Sequence, residues 1–201
     1  MTRRTVSDAI VGDDGKPRCP WAGATAAAAL AQYHDEVWGT PTDDESALFE
    51  ALTLGVFEVG LSWSIVFAKR GAFRRAFHHF DVGKVSVMKE RDVDRLDQDQ
   101  SIIRNRAKIQ ATIANARAMR SASPSLAALI KDRPTHRTHA PRTVSDVPTT
   151  TPQAKALAAQ LKSLGYRFVG PTSVYAFMQN VGVVNDHIHG CFRAIDYRPV
   201  T

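Results

Sequence analysis

The chain is short of cysteine, short of strand signals and without a long apolar run, and each shortage removes a class of answer. Two cysteines in 201 residues, Cys19 and Cys191, stand almost a full chain apart. That is too few for a disulfide-stapled secreted scaffold, and it leaves three readings open: one disulfide, two unrelated thiols, or half of a metal site. No apolar run approaches the roughly 18 residues that a membrane-spanning helix needs. Met1-Thr2-Arg3-Arg4 leads into no hydrophobic signal core. The expectation is a soluble, cytoplasmic protein with no membrane partner. Alternating apolar and polar runs are scarce, and no internal repeat or low-complexity tract occurs, so the architecture reads as mostly helical.

What is present is enough apolar side chain for a real core, 44% of the residues, in one domain or two small lobes. Lys and Arg outnumber Asp and Glu by 26 to 20, a formal charge of +6. Such an excess permits a polyanion such as DNA or RNA without requiring one.

Residues 1–17 are polar and aperiodic and read as a flexible leader. Order is expected from Arg18-Cys19-Pro20-Trp21, followed by a helix over the alanine-rich Ala24 to Gln32 that stops at Gly39 and Pro41. Thr42 and Glu45 have capping-box spacing. From there Leu48, Leu52, Val56 and Val59 recur at helical intervals. Gly60 interrupts, Ser62 is placed to cap a new helix, and Trp63 stands in its first turn. A short helix is expected over Phe73 to His78. Asp81 caps the next segment, with Val85 and Met88 inward. After Val93 and Leu96, the turn Asp97 to Ser101 leads into the longest helix signal, with Ile102, Ile109, Ile113 and Ala116 as its buried stripe. Ser121 to Pro152 holds half of the ten prolines and reads as a loop-like crossing with one short helix near Ser125 to Lys131. Thr151-Pro152 starts a helix that Gly165 stops. Tyr166 to Val169 reads as extended. Pro171 starts a last helix, with Val174, Phe177, Met178 and Val181 inward and Gly182 at its end.

Three constellations carry chemistry. In Leu54 to Trp63 a single carboxylate, Glu58, sits in an apolar run that ends on an aromatic face, which suits a planar, electron-poor ligand; a solvated Glu58 at a helix end is the plainer reading. Cys19 and His34, with His187 and Cys191, make a Cys2His2 set suited to a closed zinc site. The spacing fits no zinc finger, and His189 is an alternative to His187. Third, Arg91 to Lys108 has the outline of a helix-hairpin-helix, which grips phosphates independently of sequence. Arg104, Arg106 and Lys108 crowd the start of its second helix, where cations oppose the helix dipole and a docked phosphate would reverse the problem. Two plain helices joined by a turn would look much the same.

Taken together these blocks resemble the DNA-3-methyladenine glycosylase I family, the zinc-containing branch of the helix-hairpin-helix base-excision glycosylases. The resemblance is carried by Cys19-Pro20-Trp21, Tyr33 to Gly39, Gly60-Leu61-Ser62-Trp63, Ile102 to Ile109, Phe168 to Thr172 and Asn185 to Cys191, in the family's order. It implies an all-α fold in which 18–193 form one unit of two interleaved helical lobes with the termini tied by zinc, and 194–201 a tail. It implies one structural Zn2+ on Cys19, His34, His187 and Cys191, a base pocket lined by Trp21, Tyr33 and Trp63, and DNA held by Ser101, Arg104, Arg106 and Lys108. The activity implied is that of a monomeric hydrolase that flips 3-methyladenine or a related alkylated purine out of double-stranded DNA and cleaves its glycosidic bond. Three departures stand out. The family's usual glutamate is Gly55 here, while Glu58 replaces a glutamine one turn on, the same helix face; Ser101 replaces the hairpin glycine; and the segment after Met119 is shorter and lacks the usual aromatic-rich stretch. Glu58 is therefore the candidate catalytic carboxylate. A non-catalytic protein that binds damaged DNA on the same scaffold is the alternative, and a zinc-stapled module for a protein partner a weaker third.

Overall fold

The computed structural model describes residues 7–23, 27–131 and 139–196. It is built from helices, with one two-stranded ribbon among the described residues. The chain divides into two compact units, Met1–Pro41 with Pro134–Thr149 and Gln179–Thr201, and Thr42–Arg133 with Thr150–Met178. No helix among the described residues is long and apolar enough to cross a membrane.

In the first unit, β1 (Ile10–Val11) pairs antiparallel with β2 (Pro17–Arg18), Ile10 opposite Arg18. The turn closes through Gly12 N–H to the Lys16 carbonyl at 3.0 Å, with Gly15 at φ +76°. The described part of the expected leader is thus a hairpin. It is held by turn geometry and by an ion pair between Arg18 and Asp14 at 2.6 Å, neither of which leaves an apolar period to read. Residues 1–6 and 197–201 lie outside the described residues, as do Ala24 to Ala26 at the expected start of the next helix. That helix, α1 (Ala28–Glu36), buries Tyr33 and His34. At Gly182, φ is +73° and a Cβ would stand 2.4 Å from the Pro41 nitrogen, so the chain passes too closely there for any side chain.

The second unit is organised around α2 (Glu45–Glu58). Asp44, rather than Thr42, is its N-cap, accepting from Ala47 N–H at 2.7 Å. Thr42 instead accepts from the Asp44 N–H. The shift follows from chemistry, since a carboxylate at the cap also complements the positive helix end. Leu48, Leu52 and Val56 are buried as the periodicity predicts, but Val59 lies beyond the helix and is 47% exposed. The short helices α3 (Trp63–Ala68) and α4 (Arg70–Ala76) follow. Glu50 on α2 is buried and receives Arg70 Nε at 2.7 Å and Arg74 Nη2 at 2.8 Å, the pairing that a buried carboxylate requires.

The helix expected over Phe73 to His78 ends at Ala76, because His78, His79 and Phe80 all adopt positive φ. This left-handed turn drives Phe80 inward to meet Phe49 edge-on at 5.8 Å and Phe77 at 6.2 Å. Burial of the ring offsets backbone strain of about 1–3 kcal/mol per residue. Asp81 caps α5 (Val82–Ser86) by accepting from Lys84 N–H at 2.9 Å. α6 (Glu90–Asp97) and α7 (Arg106–Ser121) form the helix pair, and α7 packs on α2, α5 and α6. Ile102 is buried as expected but lies in the turn, not on α7. α8 (Leu126–Lys131) and α9 (Pro152–Ser163) follow, with Thr151 capping α9 on Ala154 N–H at 3.1 Å. The stretch from Tyr166 to Val169 is no strand, because Phe168 takes φ +56°. α10 (Pro171–Asn180) is the last helix among the described residues.

Candidate functional site

Within the first unit, Cys19, His34, His187 and Cys191 converge. Their donor atoms all lie within 4.8 Å of one another, and all four residues are buried. β2 delivers Cys19, and the last full turn of α1 delivers His34. Each imidazole has one nitrogen turned to the cluster and the other occupied. His34 Nδ1 meets Asp35 Oδ1 at 2.9 Å, leaving Nε2 for the cluster. His187 Nε2 meets the Trp38 carbonyl at 3.2 Å, leaving Nδ1. These outer bonds fix the tautomers that a metal ligand needs. Burial pushes the His187 imidazole down toward its neutral, ligating form. The bond from the Cys19 thiol pulls Cys191 well below an ordinary thiol, and the same bond pushes Cys19 up.

Both cysteines are free thiols, so the disulfide and the unrelated-thiol readings give way to a donor cluster that can hold a metal ion. His189 is not part of it; its Nδ1 faces Asp196 at 3.4 Å. Gly39 has a specific reason to be glycine, with φ +72° and a Cβ that would approach His187 Nε2 to 3.0 Å. Trp21 packs edge-on against His34 at 5.1 Å and Trp38 at 5.2 Å, so its ring helps enclose the cluster. Tyr33 is buried, and its hydroxyl lies 3.5 Å from Asn180 Oδ1.

Within the second unit, Glu58 is the last residue of α2, partly buried. No described residue donates to its carboxylate. Burial pushes its pKa up, and its place at the negative end of α2 acts in the same direction. The chain then turns at Gly60, φ +82°. Ser62 occupies the cap position of α3 without making the side-chain cap bond; its hydroxyl meets Ser64 instead at 3.0 Å. Trp63 opens α3, its ring 5.9 Å from that of Phe67.

The hairpin between α6 and α7 separates the four expected DNA contacts. Ser101 and Arg104 are exposed. Ser101 is not among the positive-φ residues, so serine fits this turn without strain. Arg106 is engaged by Glu90, by Asp94 at 2.7 Å and by Asp97 at 3.9 Å. Lys108 corrects the expectation outright, because it is only 7% exposed and points into the unit. Its ammonium donates to the Phe57 carbonyl at 3.0 Å and to that of Val59 at 2.6 Å, capping the C-terminal end of α2. Burial lowers its pKa. Lys69, which no sequence signal marked, donates to the Gln100 and Ser101 carbonyls at 3.2 and 2.9 Å and so braces the hairpin turn. Asp35 was also missed, although a carboxylate directly after a candidate histidine ligand is a readable sign.

Residues 21–194 match the methyladenine glycosylase family. The chain belongs to that family. It is 42% identical over 179 residues to DNA-3-methyladenine glycosylase 1 of Escherichia coli, which covers 87% of this chain and 95% of the relative. It is 38% identical over 179 residues to a DNA-3-methyladenine glycosylase of Haemophilus influenzae, covering 87% and 96%. Among solved structures, a 3-methyladenine DNA glycosylase I superposes with a TM-score of 0.79 at 43% identity, covering 87% of this chain and 98% of the other. The Staphylococcus aureus enzyme, studied for 3-methyladenine recognition, superposes with a TM-score of 0.78 at 30% identity, covering 87% and 95%. The all-α methyladenine glycosylase fold is therefore that of this chain.

Proposed function

We propose that the protein is a DNA-3-methyladenine glycosylase. Family membership sets the reaction, and the partly buried, partnerless Glu58 carboxylate is the observation that carries the assignment of the site. A 3-alkylated adenine nucleotide bears a positive charge on its base. Flipped from the duplex, that base meets a carboxylate whose desolvation is unfavourable until a cation arrives, so the interaction strengthens where it is needed. Water adds its oxygen to the sugar C1′, the C1′–N9 bond breaks, its electron pair leaves with the neutral base, and a proton is released to solvent. Glu58 binds and orients the base, and Trp63, in the same unit, offers a face for stacking and cation–π attraction. Ser101 and Arg104 are the hairpin's contacts with DNA phosphates, with Lys69 bracing the turn. Double-stranded DNA carrying an alkylated base is the partner, and the protein acts as a monomer in the cytoplasm.

The metal is zinc. Tetrahedral zinc with two thiolates and two imidazoles sets donor–donor edges of about 3.3 Å for N–N up to about 3.8 Å for S–S. The observed 3.2 Å between His34 Nε2 and His187 Nδ1, 3.4 Å from Cys191 Sγ to His34 Nε2, and 3.6 and 3.7 Å from the two sulfurs to His187 Nδ1 support this. Held by these four protein donors, zinc would have no open position and would serve to tie the fold together.

The deciding assay is incubation with DNA containing 3-methyladenine, with free base measured against a heat-killed control. Release above control is expected. Salt-sensitive DNA binding with no base release would instead support the non-catalytic reading, which the missing carboxylate at Gly55 favours.

A further inference from the structure

The family match begins at Trp21, yet the described residues ahead of it grip the metal cluster from two directions. One grip is a chain of charge-assisted hydrogen bonds. Asp35, which holds His34 Nδ1, also receives Arg18 Nε at 2.8 Å and Arg18 Nη2 at 2.7 Å. The same guanidinium donates to Asp14 through Nη1 at 2.7 Å and Nη2 at 2.6 Å. The hairpin turn is thereby wired to a metal ligand through two carboxylates and one buried arginine. The other grip falls on the loop that carries Cys191. The Ser7 hydroxyl donates to the His189 carbonyl, and Phe192 N–H donates to the Pro17 carbonyl at 2.9 Å. Ala9 packs against the apolar cluster of Cys19, Ile188 and Cys191. A Cβ on Gly190 would stand 2.9 Å from Ser7 Oγ and 3.4 Å from the Ala9 Cβ. β2 then runs directly into Cys19. Three of the four ligands are thus reached from one short segment.

We propose that the N-terminal hairpin is a clasp that retains the metal, with Arg18 and Asp35 as positioning residues for His34. The proposal rests on the zinc reading above. A ligating imidazole bonded through its other nitrogen to a carboxylate is held in one rotamer and one tautomer, and loss of such a partner typically costs about 10–100-fold in metal affinity. Arg18 holds that carboxylate in turn, and it is itself nearly buried at 6% exposure, so the chain has little freedom to relax. Coupling of this kind is reciprocal in free energy: a hairpin that tightens metal binding is itself ordered by the metal.

The test uses the full chain as purified with zinc. Transfer of zinc to excess chelator is followed with a chromogenic indicator in the parent and in Asp14→Asn, Arg18→Met and Asp35→Asn. Arg18→Met and Asp35→Asn should release zinc about 10–100-fold faster, and Asp14→Asn should release it several-fold faster. Asp14 is exposed, so its variant keeps the experiment decisive if an inner variant does not fold. In the parent, stripping the zinc should raise hydrogen exchange of amides in residues 9–18. A parent that holds zinc and releases it at the same rate as Arg18→Met and Asp14→Asn overturns the clasp alone. A parent that holds no zinc overturns the metal reading and the clasp with it.

Discussion

The Lys108 ammonium lies 2.6 Å from the Val59 carbonyl and 3.0 Å from that of Phe57, so one lysine on α7 binds the backbone on both sides of Glu58. Helix C-termini leave carbonyls without intrahelical donors, and here a cation supplies them at the negative end of the dipole. The position of the Glu58 carboxylate is thereby tied to α7.

Replacing Lys108 tests that tie. Lys108→Met keeps most of the apolar stem and removes the donors, leaving partly or fully buried carbonyls unsatisfied at a cost of about 1–3 kcal/mol. Urea unfolding should show that loss, and base release should fall because Glu58 is held less firmly. Affinity for undamaged DNA and its salt dependence should stay the same. A salt slope lower by about one would instead mean that Lys108 meets a phosphate.

Glu58→Gln should separate stability from activity. In the folded protein the carboxyl pKa is raised, so the proton is held more tightly there than in the unfolded chain. The stability arising from that difference is complete below the ordinary glutamate pKa of 4.5 and is lost as pH rises through the raised value. The glutamine variant escapes that loss. It should therefore be more stable than the parent at neutral pH, with the gap closing in acid where both side chains are neutral. Base release at neutral pH should fall at least about tenfold, or about 1.4 kcal/mol in the transition state, and the parent's rate should rise with pH as Glu58 ionises.

How far the sequence could be read follows from what each feature depends on. Asp81, Thr151 and Gly165 act through local chemistry, and all three punctuate the fold where they were expected. The four metal donors show in the sequence as a Cys2His2 set whose spacing is weak and leaves other readings open, since Cys19 and His187 are 168 residues apart and only the folded chain brings them to 3.7 Å. Lys108 was misplaced because a lysine in a basic run looks the same whether its stem points to solvent or into the protein, and only the tertiary position of the α2 carbonyls decides. The left-handed turn at His78 to Phe80 is likewise invisible, because no glycine marks it and its compensation is a distant Phe49.

Gly55 is a second place to intervene. It sits inside α2, buried, and an added Cβ would meet only the Ser173 carbonyl at an ordinary 3.8 Å. Gly55→Ala should therefore stabilise the protein by about 0.5–1 kcal/mol, the helix-interior difference between the two residues, measured by urea midpoint. Gly55→Glu restores the carboxylate that the family usually carries there. It should increase release of 3-methyladenine, and combined with Glu58→Gln it should rescue that variant. If the double variant is as inactive as Glu58→Gln alone, the two positions do not serve the same base.

The hairpin cations should differ from each other in the same kind of measurement. Arg106 already has Glu90, Asp94 and Asp97 around it, so it is surrounded by more negative charge than it carries. Arg104 has no such partner among the described residues. An arginine that neutralises a phosphate releases a counterion, and its removal lowers the slope of log affinity against log salt by about one. Arg104→Ala should show that change across unrelated DNA sequences, because phosphate contacts carry no sequence information. Arg106→Ala should leave the slope nearly unchanged or weaken binding through the acidic cluster it uncovers. Equal slopes for the parent and Arg104→Ala, with a loss confined to Arg106→Ala, would move the DNA contact to Arg106 and require it to exchange its carboxylates for a phosphate on binding.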